Sequence, residues 1–218
     1  MNILNEHFDK IYCINLDRRT DRWEECCSIF EKMNLDVERF SACDGQLIDT
    51  GYGKVYNGEL GGTIAHARLI KKIKDEGFEK VLILEDDVEF CETFEEDFKI
   101  SMQEVPNDWD LLFLGGNHTG GYDKVSQRIG RVYRTYALQS YAVNKRSVDV
   151  LYENMIRFIG HTLACGVQLT PSVAADFYMA KLQPSLNSYS IFPNLTWQRE
   201  SFSDLQQNIM NYEFLKNS

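Results

Sequence analysis

The sequence predicts an α/β fold, a single domain in which a mostly parallel β-sheet is flanked by helices. Three observations predict it. Residues 10–42 read as strand, helix, strand; residues 81–84 (VLIL) are wholly apolar and are followed at once by Glu85, Asp86 and Asp87; residues 110–114 (DLLFL) form a second apolar run that ends on paired glycines. Short apolar runs without alternation suit strands covered on both faces, the usual condition in a parallel sheet.

The elements follow in order. Residues 10–16 (KIYCINL) are short and β-rich, a first strand. From Asp21, the spacing of Trp23, Cys26, Cys27, Phe30 and Met33 traces one helical face, and Asp21 with Glu24 makes a capping-box-like start. Residues 37–42 (VERFSA) form a second strand ending at Asp44 and Gly45. Gly51, Gly53, Gly58, Gly61 and Gly62 mark a glycine-rich loop, after which Ile64, Ile70 and Ile73 place a helix that stops at Gly77. Residues 81–84 are the central strand, and a helix from Thr93 turns Phe94, Phe98 and Met102 inward before Pro106. The strand at 110–114 runs into a polar, glycine-rich loop over 115–121. Residues 135–143 read as a strand, Ser147 caps a helix through Val148, Leu151, Tyr152 and Met155, and Ser172 opens a last helix containing Asp176. Beyond Pro184 the chain reads as mostly irregular, with an apolar patch (Ile191, Phe192, Pro193, Leu195, Trp197) and a terminal helix near residue 204.

Composition excludes several classes. With 218 residues, 44% of them apolar, and 13 Phe, 11 Tyr and 3 Trp, the chain has ample material for a core and is not disordered. The net charge is −10, and eight acids crowd residues 85–97, a field that attracts a metal ion and repels a nucleic-acid backbone. No window reaches the ~18 apolar residues of a membrane span, and the start, MNILNEHFDK, does not read as a signal peptide, so the expected location is cytoplasmic. Cys13, Cys26, Cys27, Cys43, Cys91 and Cys165 include no C-x-x-C and read as reduced, mostly packed thiols.

The acidic triplet is the strongest chemical feature. On an extended backbone Glu85 and Asp87 point one way and Asp86 the other, so the outer pair can share a cation while the middle residue meets something else. Adjacent carboxylates past a buried strand repel one another unless a cation is present. Their hard oxygens imply Mn²⁺ or Mg²⁺, held by few protein ligands and completed by phosphate oxygens.

Residues 15–22 (NLDRRTDR) span the end of the first strand and the start of its helix. Arg18, Arg19 and Arg22 oppose the helix dipole there; they either attract an anion or pair with Asp17, Asp21, Glu24 or Glu25 on the surface. His66 stands within about a turn of Gly61 and Gly62, near the carboxylates or simply packed. Asp44 with Gly45 is a plain turn or a contact for a ribose or base edge.

Taken in order, YCINLDRRTDRW (12–23), ACDG (42–45), GELGGTIAHARLIKKI (58–73), VLILEDDVEF (81–90), DLLFLGG (110–116), TYALQSYAVNKRS (135–147), the Asp176 segment and Pro193-x3-Trp197-Gln198-x2-Ser201-x-Ser203-Asp204 resemble glycosyltransferase family 25. That family includes bacterial lipooligosaccharide and collagen galactosyltransferases. Where it usually has Gly-Cys and then Ser-His, this chain has Gly62-Thr63 and Ala65-His66, so no role carries over for that cysteine or serine.

The resemblance implies a GT-A-type, Rossmann-like fold, with a nucleotide-binding part over about 1–116 and an acceptor part over about 117–218. Asp87 would ligate Mn²⁺ (or Mg²⁺) directly, Glu85 directly or through water, and Asp86 would meet the ribose; Asn15, Leu16, Arg18, Arg22, Asp44, Gly45 and His66 would bind the rest of a UDP-sugar. The bacterial members it resembles invert the anomeric centre, which needs a carboxylate to deprotonate the acceptor. Asp176 is the candidate base, or else a helix-start acid favoured by the dipole. The loop at 117–123 with Tyr122, and Trp197 and Phe202, could form the acceptor side. The reaction so implied moves a hexose, galactose before glucose, to a glycan, lipooligosaccharide, glycoprotein or collagen-like acceptor, with any membrane contact peripheral. Two rivals are a nucleotide-sugar- or carbohydrate-binding homologue without turnover, and a metal-dependent phosphatase. The phosphatase needs a further acidic pair, and residues 123–218 have no adjacent acids.

Overall fold

In the computed structural model, which describes residues 2–51, 53–165, 172–203 and 208–217, helix α1 (Ile3–His7) precedes strand β1 (Lys10–Asn15). Helix α2 (Thr20–Met33) then carries the chain back to strand β2 (Glu38–Ser41), parallel to β1. Asp21 does not start α2 as a capping residue: the cap position is Arg19, and Asp21 lies inside the first turn, where its carboxylate takes the Arg19 guanidinium at 2.8 Å. Helix α3 (Lys54–Glu76) begins well before the expected point, so Gly58, Gly61 and Gly62 are helical and not part of a loop. Gly61 is needed because backbone meets backbone there: a Cβ on it would stand 2.7 Å from the Cys43 carbonyl oxygen.

Strand β3 (Lys80–Glu85) pairs in parallel with β1, and β4 (Val88–Phe90) follows the acidic turn. Next come α4 (Phe94–Met102), β5 (Leu111–Phe113), β6 (Asn117–His118), β7 (Tyr122–Lys124), β8 (Ile129–Val132), β9 (Thr135–Tyr136) and β10 (Ser140–Asn144). The single strand expected over 135–143 is therefore two, divided where Ala137 adopts a left-handed φ of 65°; β9 pairs with β6, and β10 joins the main sheet. Helix α5 (Lys145–Cys165) contains Ser147 instead of being capped by it, and the Ser147 hydroxyl donates to the Asp110 and Asn144 carbonyls. Helix α6 (Ala175–Leu182) opens at Ala175, with the Ser172 hydroxyl accepting from the Ala174 N–H just before it.

The chain after Pro184 is more regular than its composition suggests. It supplies β11 (Ser188–Ile191), β12 (Thr196–Gln198), β13 (Ser201–Ser203) and β14 (Asn208–Met210). β11 is fully buried, yet alternating serines hide it from an apolar count. Of the terminal helix expected near residue 204, residues 204–207 lie outside the described set; the flanking β13 and β14 pair as an antiparallel hairpin.

The main sheet has the order β2-β1-β3-β10-β5-β11-β8-β7, in which β10 and β8 run against the other six strands. Successive residues of β3 serve opposite cores. Val81 and Ile83 pack with α3, α5 and α6 through Leu69, Ile73, Leu151 and Met179. Leu82 and Leu84 pack with α2 and α4 through Phe30, Phe94 and Phe98. Cys13, Cys26, Cys27, Cys43 and Cys91 are free thiols. Among the described residues no helix is long and apolar enough to cross a membrane.

Candidate active site

The carboxyl ends of β2, β1 and β3 lie side by side, and the residues just beyond them form a cleft of about 330 Å³. Such an edge is where open α/β sheets take ligands. Asn15 and Leu16 arrive from β1, Asp44 and Gly45 from the turn after β2, Glu85, Asp86 and Asp87 from β3, Arg18 and Arg22 from the start of α2, and His66 from α3. All of the residues expected to bind nucleotide or metal thus share one cavity.

Asp86 is its structural hub. Asn15 Nδ2 donates to Asp86 Oδ2 and Arg22 Nη1 to Oδ1, both at 2.7 Å. A ribose hydroxyl would share those oxygens with Asn15 and Arg22. Arg22 also donates to Ser201 Oγ at 2.6 Å, tying the β13 hairpin to the triplet. Of the three arginines, Arg19 takes a nearby surface acid, Asp21; Arg18 Nε instead donates to Asp44 Oδ2 at 2.8 Å, while Asp44 Oδ1 accepts from the Gln46 N–H and caps the turn.

Asp87 is different. Its Oδ2 lies 3.5 Å from Arg22, but its Oδ1 is buried without any hydrogen-bond partner. Burial and repulsion from Glu85 push its carboxyl up to about 7, against the pull of Arg22. Glu85 Oε1 lies 3.2 Å from His66 Nε2, and His66 Nδ1 lies 2.9 Å from the hydroxyl of buried Tyr141. A neutral ring that accepts from the Tyr141 hydroxyl at Nδ1 carries its proton on Nε2, facing Glu85.

An unpartnered, desolvated carboxylate oxygen beside a second carboxylate fits a hard divalent cation. No group of three or more His, Cys, Asp or Glu side chains converges as a complete cage among the described residues, so an ion there would take further oxygens from a ligand.

Asp176 stands in a second cleft, of about 320 Å³, with Glu59, Asn117, Tyr136 and Ala137. The two clefts share Gly58, Gly62, His66, Glu85, Gln198 and Tyr212 as a common wall. Asp176 Oδ1 accepts from the Phe177 N–H at 2.6 Å and Oδ2 from the Ala137 N–H at 3.3 Å, which holds the left-handed Ala137 turn. Burial raises the Asp176 carboxyl above its ordinary range, and the charges of Glu85 and Glu59 add to it while the two N–H groups oppose.

Of the aromatics expected on the acceptor side, Tyr122 stacks on Phe192 at 4.1 Å, and neither it, Trp197 nor Phe202 lines either cleft. Residues without an assigned role do the covering. Gln198, Ser201, Ser203, Met210 and Tyr212 line the first cleft, and the Arg199 N–H donates to the Asp87 carbonyl at 2.6 Å. This segment reaches the triplet because β12 pairs antiparallel with β4 immediately after Asp87. Lys54 also lines the cleft; its spacing from Gly58 and Gly62 was a helical signal obscured by reading those glycines as loop.

The family model described as "Glycosyltransferase family 25 (LPS biosynthesis protein)" matches residues 8–188. The chain belongs to glycosyltransferase family 25. Similar curated proteins include mouse (Mus musculus) procollagen galactosyltransferase 2, 29% identical over 129 residues, and an Aedes aegypti glycosyltransferase 25 family member, 35% identical over 129 residues. These matches cover 50% and 48% of this chain but only 21% of each relative, so the chain spans about a fifth of their length. A human relative, 28% identical over 50% of this chain and 22% of its own length, is described as an inactive glycosyltransferase 25 family member 3. Among solved structures, a glycosyltransferase involved in glycosylation of the major capsid of PBCV-1 superposes with a TM-score of 0.50 at 10% identity, covering 91% of this chain and 95% of that one. At that identity the likeness is one of fold, and it places this family 25 chain on a glycosyltransferase scaffold.

Proposed function

We propose that this chain transfers a hexose, galactose before glucose, from a UDP-sugar to a hydroxyl of a glycan, lipooligosaccharide, glycoprotein or collagen-like acceptor, with inversion at the anomeric carbon. The observation that carries the reading is the pair of clefts meeting at His66 and Glu85, with Asp87 on one side and Asp176 on the other. The first cleft takes the donor, and the second takes the acceptor.

On the donor side, Asn15, Leu16, Asp44 and Gly45 form the wall for the nucleoside, and Arg18 and Arg22 supply positive charge. Asp87, with Glu85 beside it, would hold Mn²⁺ or Mg²⁺, which when bound supplies Lewis-acid stabilisation of the diphosphate. Asp86, through Asn15 and Arg22, keeps the neighbouring carboxylates in place. His66, braced by Tyr141, orients Glu85 at the boundary.

On the acceptor side, Asp176 accepts the proton of the attacking hydroxyl. Its raised carboxyl suits that role, because a base closer to neutral range holds the proton better. The Ala137 and Phe177 N–H groups fix the carboxylate, so its free lone pairs face the cleft without a search over rotamers.

Incubation with Mn²⁺ and a panel of UDP-sugars, with glycan and peptide acceptors, tests this. UDP release that depends on acceptor, fastest with UDP-galactose, is the expected result. Saturable UDP-sugar binding with no release under any acceptor would make the chain a binding homologue instead.

A further inference from the structure

We propose that Lys54 is the side chain that meets the donor's diphosphate, and that Gly58 and Gly62 keep the α3 surface bare so that the diphosphate and sugar lie along it. This rests on the donor reading above. Four cationic side chains line the donor cleft: Arg18, Arg19, Arg22 and Lys54. Three are already engaged within the protein, Arg18 by Asp44, Arg19 by Asp21, and Arg22 by Asp86 and Asp87. Lys54 is exposed and has no carboxylate partner among the described residues. An arriving diphosphate would have to displace an existing ion pair to reach any of the arginines fully, whereas Lys54 offers its ammonium at no such cost.

The helix geometry points the same way. Lys54, Gly58, Gly62 and His66 recur every four residues, so they form one stripe along α3, and all four line the cleft. The two glycines leave that stripe without side chains. A Cβ on Gly62 would meet nothing within 4 Å, so the space above it is cleft and not packing, in contrast to neighbouring Gly61. Across the same cavity the buried Asp87 Oδ1 lacks a partner, an independent sign that a ligand completes this site. The stripe therefore runs from Lys54, unpaired among the described residues, to the His66–Glu85 boundary where transfer takes place.

Calorimetric titration of the full chain with UDP and, separately, with uridine tests the assignment. Lys54→Met is expected to weaken UDP binding about tenfold while leaving uridine binding unchanged, and Lys54→Arg to restore most of the UDP affinity. The UDP affinity of the wild type should fall with added salt, and that of Lys54→Met should fall less. Gly62→Leu is expected to weaken UDP-sugar binding at least tenfold with a melting temperature at or above wild type, since the substitution fills open space on a helix. Unchanged UDP affinity in Lys54→Met, an equal loss for uridine, or full UDP-sugar affinity in Gly62→Leu would overturn the proposal. Wild-type protein that binds neither UDP nor uridine would instead defeat the donor reading on which it stands.

Discussion

Arg22 and Asp86 are 64 residues apart in the chain and 2.7 Å apart in space, and the same guanidinium reaches Asp87 at 3.5 Å and Ser201 at 2.6 Å. An arginine at a helix start, unfavourable beside the helix dipole, is thus the clamp that holds the acidic turn and the C-terminal hairpin together. Arg22→Met removes the cation beside two buried carboxylates and leaves the Asp86 side chain only the Asn15 amide, and the expected loss is about 3 kcal/mol of stability. Urea denaturation reads it directly; a loss below about 0.5 kcal/mol would show that the clamp is dispensable.

Asp87 carries the opposite liability. Its carboxyl is raised from 3.8 to about 7 in the folded state, so its contribution to stability is fully present below about 3.8 and is lost as pH rises through about 7. Asp87→Asn is therefore expected to stabilise the metal-free protein at pH 8 by roughly 4 kcal/mol, since the carboxyl is raised from 3.8 to about 7 and each pKa unit is worth about 1.4 kcal/mol, and to leave it nearly unchanged near pH 4. Thermal melts with a chelator at both pH values provide the measurement. A variant less stable than wild type at pH 8 contradicts the account.

The same shift sets the pH dependence of cation binding. A metal must displace the Asp87 proton, so apparent Mn²⁺ affinity in the presence of UDP should rise about tenfold per pH unit below about 7 and level off above it. An affinity flat from pH 5 to 8 would remove Asp87 from the ligand set.

Asp176→Asn preserves shape and removes the base. Turnover is expected to fall between about 10²- and 10⁴-fold with UDP affinity intact. If turnover stays near wild type, the proton goes elsewhere.

Gly61 supports the cleft from outside it. An added Cβ would press on the Cys43 carbonyl at 2.7 Å and the Gly45 N at 2.8 Å, both backbone atoms that cannot swing away. Gly61→Ala should cost about 1–3 kcal/mol and weaken UDP binding by displacing the Asp44–Gly45 turn; wild-type melting behaviour would show that α3 and the turn can separate freely.

Much of this arrangement was legible in advance. The apolar run of β3 with three acids after it announced a central strand that delivers carboxylates to its carboxyl end, because only a strand buried on both faces tolerates such uniform side chains. The strand-helix-strand opening and the helical position of Asp176 were legible by the same periodicities. Where glycine stood for a loop, the reading failed: Gly58, Gly61 and Gly62 are helical, and at Gly61 it is close backbone contact that excludes a side chain. β11 was missed because its serines are buried by neighbours far away in the chain.

What the sequence by itself determined is the set of local preferences: the strand-helix-strand opening, the central strand at 81–84, and that carboxylates gather after it. Only the tertiary structure decided the partnerships, such as Arg22 with Asp86 and not a surface acid, β12 beside β4, and Asp87 Oδ1 left without a partner. Periodicity is a property of a few consecutive residues, whereas pairing, burial and the cost of leaving a charge unpaired depend on which distant segments the sheet order brings together.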